Sequence, residues 1–243
     1  DGNKNVYGMR LSKDGARLDA SDLAITATSP TNNPVKNSPA AASDGANFLI
    51  AWSECGANTS SCDILATRLA QDGTQIEPKG FPIYKSDTGV YAYSPAVAYD
   101  GTNFLVVWSD NRPNRQPEAA DGDSEIPPQP ATGFDIYGAR VGKNGVLLDD
   151  DSLLISKAQG DQHLPAMAFD GTNYLIVWQD SRAEDVYGAR LGKDGTLLDP
   201  EGIVITNAAG AQSGPRVAFD MTNFVVVWTD SRNGYAVYTT RVS

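Results

Sequence analysis

Residues 165–180 read PAMAFDGTNYLIVWQD, and the same stretch returns three more times without a gap. The copies are PAAASDGANFLIAWSE at 39–54, PAVAYDGTNFLVVWSD at 95–110 and PRVAFDMTNFVVVWTD at 215–230. Self-similarity at this spacing marks a repeat architecture, in which one supersecondary unit is stacked on the next. Within each copy the segment after the Asp-Gly loop is apolar at consecutive positions, as in Leu105-Val-Val-Trp108. Consecutive rather than alternating apolar residues predict a central strand covered on both faces.

Working outward, a second motif follows each copy. Asp135-Ile-Tyr-Gly-Ala-Arg140 and Asp185-Val-Tyr-Gly-Ala-Arg190 match Asn5 to Arg10, and more loosely Asp63 to Arg68 and Ala236 to Arg241. Five residues after the first four of these arginines comes a glycine, Gly15, Gly73, Gly145 or Gly195, in KDG, QDG, KNG and KDG. Asp-Gly and Asn-Gly supply the positive φ that tight hairpins need, so these are strand reversals. Ten residues further on stand Ile25, Ile83, Ile155 and Ile205, in short apolar segments read as a last strand. A full unit thus has four strands, and no window holds a helical stripe of ten or more residues.

Four-stranded antiparallel units of roughly fifty residues predict an all-β fold, a β-propeller. One domain over 1–243 is expected, with units at about 39–86, 95–156, 165–206 and 215–243 and extra N-terminal strands within 5–26. Four blades are counted, and five are possible because one third strand is left over. The 111–133 segment, NRPNRQPEAADGDSEIPPQPATG, is an insertion rich in proline and acid, read as an exposed loop.

Thirty acidic and nineteen basic residues give a net charge of −11, which disfavours a nucleic-acid partner. No apolar run approaches the length of a membrane-spanning helix. The two cysteines, Cys55 and Cys62, flank a hairpin loop and predict a disulfide, hence an extracytoplasmic protein, whether secreted, periplasmic or on the cell surface. Asn58-Thr-Ser60 is a formal glycosylation sequon.

The most repeated polar set is the acid and arginine after the tryptophan: Asp110 and Arg112, Asp180 and Arg182, Asp230 and Arg232, with Glu54 and no arginine in the first copy. These are read as structural ion pairs at blade corners. Arg140 and Arg190 are expected to pair with a neighbouring acid as well. The alternative use of these acids is calcium, with Asp110, Asp135, Asp180, Asp185 and Asp230 as ligands, and Asp121, Asp123 and Glu125 of the insertion as a second candidate site. His163, the one histidine, is expected on the surface.

No catalytic residue is assigned. A catalytic triad would have to use His163, there is no Gly-x-Ser-x-Gly elbow, and the Asp-Gly turns lack the Ser-x-Asp-x-Gly-x-Thr-Trp pattern of a sialidase Asp-box. Repetition itself argues against catalysis, since an active site needs one asymmetric constellation.

The succession VVWxDxR, DIYGAR and KDGxLLD, carried best by WQDSRAEDVYGARLGKDGTLLD at 178–199, resembles repeats of bacterial secreted and cell-surface proteins, mostly of unassigned function and thought to be β-propellers. The resemblance implies an exported bacterial propeller and transfers no catalytic residue. The expected function is a non-enzymatic interaction module binding a protein partner or surface assembly through its irregular loops. A calcium-dependent, glycan-binding lectin is the alternative, with a glycoside hydrolase behind it.

Overall fold

The computed structural model describes residues 5–26, 34–56, 60–113 and 133–243. Strands β1 (Tyr7–Gly8) and β2 (Leu23–Ala24) pair antiparallel as a small sheet of their own. Three four-stranded antiparallel sheets follow in chain order. They are β3 (Val35–Ser43), β4 (Asn47–Cys55), β5 (Cys62–Ala70) and β6 (Phe81–Tyr84); β7 (Ala92–Tyr99), β8 (Asn103–Asp110), β9 (Asp135–Gly142) and β10 (Leu153–Ser156); and β11 (Gln162–Phe169), β12 (Asn173–Asp180), β13 (Asp185–Gly192) and β14 (Ile203–Thr206). A three-stranded sheet closes the series, β15 (Gln212–Phe219), β16 (Phe224–Asp230) and β17 (Ala236–Val242). These sheets are the blades of a β-propeller. The N-terminal strands form a fifth, partial blade and do not complete the last one.

The cores lie between successive blades, which is why the second strands are apolar on both faces. Phe104, Val106 and Trp108 pack back against Leu49, Ala51 and Ile64 of the preceding blade, while Leu105 and Val107 of the same strand pack forward against Tyr174, Ile176 and Trp178. The first strands are innermost, β3 beside β7, β7 beside β11 and β11 beside β15, with no comparable contact joining β15 to β3.

Cys55 and Cys62 form the expected disulfide across the β4–β5 hairpin. Asn58 of the sequon, and Asp121, Asp123 and Glu125 of the insertion, lie outside the described residues. Among the described residues no helix is long and apolar enough to cross a membrane.

The third-strand arginines hold one blade to the next. Arg68 donates through Nε to Glu77 Oε1 at 2.9 Å and through Nη1 to the Lys143 carbonyl of the following blade at 2.7 Å. Arg140 does the same with Asp149 at 3.0 Å and the Lys193 carbonyl at 3.3 Å. The turn glycine is needed twice over. Gly145 and Gly195 have φ of 82° and 88°, and a Cβ there would stand 3.2 Å from Arg68 Nε and 3.3 Å from Arg140 Nε.

Candidate functional site at the mouth of the ring

Each innermost strand is broken at the same place. Ser38, Ser94 and Leu164 have φ of 51°, 53° and 52°, Gly214 has φ of 59°, and each precedes a proline. The pairing register shifts there, between Asn37 and Ala40, Tyr93 and Ala96, His163 and Ala166, and Ser213 and Arg216. A bulge of this kind re-aims the strand, and left-handed backbone at non-glycine residues is strain of the sort that functional sites retain.

The bulges surround one end of the central channel. A depression of about 510 Å³ is lined there by Asn37, Ser38, Tyr93, Ser94, Ser109, His163, Leu164 and Gln179. Deeper in, the channel is walled by Ala40, Ala96, Val97, Ala166, Met167 and Val217, with Arg216 beside them. Repetition ends at the mouth. The residue before each bulge is Asn37, Tyr93, His163 or Ser213, and its cross-strand partner is Ser53, Ser109, Gln179 or Thr229. Of these, Asn37, the pair Tyr93 and Ser109, and the pair His163 and Gln179 line the depression, so a symmetric scaffold presents unlike polar residues to one space.

One side of the mouth is aromatic. Tyr91 stacks on Tyr93 with centroids 6.1 Å apart, Tyr93 on Phe134 at 6.1 Å, and Phe134 meets His163 at 4.9 Å. Both feet of the inserted segment land here. Asn111 accepts the Tyr91 N–H at 2.7 Å, and Phe134 donates its N–H to Asp161 Oδ1 at 2.9 Å. Asp161 Oδ2 stands 3.7 Å from His163 Nε2 at the rim. His163 is thus a wall of the mouth rather than the plain surface residue expected from its sequence position. The signal was present in the sequence as a position that differs in every repeat, two before the proline.

The repeated corners lie just outside the mouth. Trp108 Nε1 donates to Asp110 Oδ2 at 2.7 Å, and the Arg112 N–H and Nε reach Asp110 Oδ1 at 3.0 and 2.8 Å. The Arg112 guanidinium lies 3.9 Å from the Tyr84 ring and 3.8 Å from the Tyr137 ring, a cation held between two π faces. Asp180 with Arg182 and Trp178, and Asp230 with Arg232 and Trp228, repeat the arrangement. Asp230 is held well below the usual carboxylate range, chiefly by its hydrogen bond from Arg232. These are the structural pairs expected at Arg112, Arg182 and Arg232. Arg140 and Arg190 pair instead with acids nine residues on, Asp149 and Asp199.

The corner acids expected as calcium ligands are engaged within the protein. The carboxylate oxygens of Asp110, Asp180 and Asp230 already accept from arginine and tryptophan donors, which leaves little for a cation to bind. Among the described residues no group of three or more His, Cys, Asp or Glu is placed to hold a metal ion.

Asp135 and Asp185 stand opposite Asp110 and Asp180 in the strand register. Burial, reinforced by the field of Asp110, pushes the Asp135 carboxyl up to about 7, and burial with Asp180 raises Asp185 in the same direction. Asp63, at the same position in the first complete blade, accepts from both the N–H and the hydroxyl of Ser86 at 2.9 and 2.6 Å. The folded state therefore holds a proton on Asp135 that the unfolded chain releases near pH 4. Its contribution to stability is full below that value and is lost as pH rises towards 7. Asp135→Asn, which keeps the neutral shape, is expected to be more stable than the parent by about 4 kcal/mol above pH 7 and to lose that advantage near pH 4. Thermal melts of both proteins across that range check the sign.

No protein-family model matches the chain, and no curated relative matches it by sequence. Solved structures do match in fold. A native arabinanase from Bacillus subtilis aligns over 99% of this chain and 87% of its own at a TM-score of 0.54 and 12% identity. An endo-arabinanase from Bacillus licheniformis aligns over 98% and 89% at 0.51 and 14%. A sialidase from Trypanosoma rangeli aligns over 99% of this chain but 41% of its own, at 0.50 and 14%. Likeness at this identity establishes the propeller fold.

The comparisons also correct the expected function. The fold neighbours are enzymes, so the expectation of a non-enzymatic interaction module, with its conclusion that the chain is no enzyme, does not stand. The physical reason lies in the mouth. The argument against catalysis rested on corners that repeat, whereas the mouth residues do not.

Proposed function

We propose that this protein acts on glycans as a glycoside hydrolase and seats a neutral oligosaccharide in the mouth of its propeller. The observation that carries this reading is the row of rings Tyr91, Tyr93, Phe134 and His163 beside a depression lined by asparagine, serine and glutamine. Sugars combine apolar faces, which lie on aromatic rings, with hydroxyls, which need side chains that both donate and accept. Among the described residues the lining of the mouth carries no Lys or Arg, and the protein carries a net charge of −11, so a neutral sugar suits it better than a sialoside. The arabinanase fold neighbours support the same class.

Glycosidic hydrolysis needs two carboxyl groups across the scissile bond. Of the carboxyls near the mouth, Asp161, at the rim beside His163, is the one assigned to this work. The Cys55–Cys62 disulfide supports an oxidising compartment, and export to it is part of the proposal.

The test uses linear arabino- and xylo-oligosaccharides and sialyllactose, with binding followed by calorimetry and hydrolysis by reducing-sugar release. A neutral pentose oligomer is expected to bind and to be cleaved. Tyr93→Ala is expected to weaken binding about tenfold, equivalent to about 1.4 kcal/mol, with little change in the thermal midpoint. Asp161→Asn is expected to keep binding and abolish cleavage. Binding unchanged in Tyr93→Ala would refute the site, and cleavage unchanged in Asp161→Asn would refute the assigned carboxylate.

A further inference from the structure

Among the described residues, the first ring of the aromatic row is held in a way that the later blade junctions do not repeat. At those junctions the residue after the corner aspartate ties down the segment leading into the first strand. Ser181 accepts the Asp161 N–H through Oγ at 2.6 Å and donates its own N–H to the Asp161 carbonyl at 2.8 Å. Ser231 does the same with Ala211 at 2.8 and 3.0 Å. Between the first two complete blades that position is Asn111, whose side chain accepts the Tyr91 N–H at 2.7 Å and donates to the Gly89 carbonyl at 3.4 Å.

The preceding blade supplies the rest of the hold. The Gly89 N–H donates to the Ser60 carbonyl at 2.7 Å, the Cys62 N–H donates to the Val90 carbonyl at 3.0 Å, and Cys62 pairs with Tyr91 in a parallel bridge. Ser60 and Cys62 stand where the β4–β5 hairpin returns, and this is the hairpin that the Cys55–Cys62 disulfide closes over a separation of 7 residues. A short loop pinned at its base keeps both residues in place, whereas an unpinned one opens locally while its blade stays folded.

We propose that the Cys55–Cys62 disulfide is a positioning element of the sugar site, an inference that rests on the glycan reading of the mouth. By fixing Ser60 and Cys62 it fixes segment 89–91, and the Tyr91 ring in turn backs Tyr93, which lines the depression. Neither cysteine lines the depression itself. Their effect passes through the backbone of one segment and the stacking of two rings, so it belongs to preorganised binding rather than to the bond-breaking step.

The test compares the oxidised protein, the protein reduced by dithiothreitol, and Cys55→Ser combined with Cys62→Ser, all at 25 °C. In the reduction one thiolate of the reagent attacks Sγ of Cys55, which is partly exposed where Cys62 is 1% exposed, and Cys62 leaves. The second thiolate closes the reagent's cyclic disulfide and releases Cys55, so the reagent loses two electrons and its two protons end on the cysteines. Opening so short a loop is expected to lower the thermal midpoint by less than about 10 °C, which leaves the propeller folded. Both altered forms are expected to exchange the Cys62, Gly89 and Tyr91 amides about tenfold faster, while residues 106–108 stay protected. KM for a linear arabino-oligosaccharide is expected to rise about fivefold with kcat unchanged, and reoxidation is expected to restore it. The reduced parent gives a result even if the double variant folds poorly. Equal KM in the oxidised and reduced forms, a loss confined to kcat, or unchanged exchange at Gly89 and Tyr91 would overturn this inference and leave the glycan reading in place. An oxidised protein that binds no oligosaccharide would overturn both.

Discussion

Replacing Arg112 by alanine is expected to cost about 3–5 kcal/mol of folding stability, the range for removing one partner of a buried ion pair. Asp110 is fully buried, and its charge is balanced by Arg112, which supplies three of the donors to its two oxygens. Without the guanidinium a carboxylate remains in a site closed by Trp108 and Tyr137, and the cation is also lost from between Tyr84 and Tyr137, which joins one blade to the next. For a chain of this length the thermal midpoint is expected to fall by roughly 6–20 °C. Arg112→Lys restores a charge but neither the planar fork nor the stacking, so it should recover only part of the loss. Asp110→Asn combined with Arg112→Met, which removes both charges, should lose less than Arg112→Ala alone. If Arg112→Ala melted within a degree of the parent, the corner would not be a structural pair.

Trp178→Ala carries the second large loss, again about 3–5 kcal/mol. Trp178 is 1% exposed in the core between the second and third complete blades, against Leu105, Val107 and Ile155. Gly202, on the approach to β14, sits against its ring, with a notional Cβ 3.7 Å from Cζ2. Truncation opens a cavity between two blades and removes an N–H donor from Asp180. Trp228→Ala is expected to cost less, because the last blade has no fourth strand over that ring and Trp228 is already 5% exposed. Denaturant melts of the two variants, compared at equal slope, read the difference.

The fold was legible because its physics is local and repeated. A strand buried on both faces, a positive-φ turn and a fixed spacing are each visible within a dozen residues, and repetition turned weak signals into a strong one. The Asp110–Arg112 type of corner was legible for the same reason, its partners being two residues apart. Arg140 was harder. Its acid, Asp149, lies nine residues on beyond a turn, although the final aspartate of KDGxLLD was in plain sight.

The mouth was not legible, since it depends on a left-handed residue before each proline, a conformation that sequence disfavours at Ser38, Ser94 and Leu164. Those bulges swing Asn37, Tyr93 and His163 into one space, and variation among repeats carries no periodic signal that would mark them as a site. The aromatic row was hidden for another reason. Phe134 and Tyr91 lie far apart in the chain and meet His163 and Tyr93 only because the ends of the inserted segment return to the same rim.

The most direct test is a crystal structure of the protein soaked with an arabino-oligosaccharide. Density for a sugar ring against Tyr93 and His163, with hydroxyls bonded to Asn37, Ser109 or Gln179, is the predicted result. A sugar bound instead on the outer face of a blade or at the Cys55–Cys62 hairpin, with the mouth holding only solvent, would contradict the account.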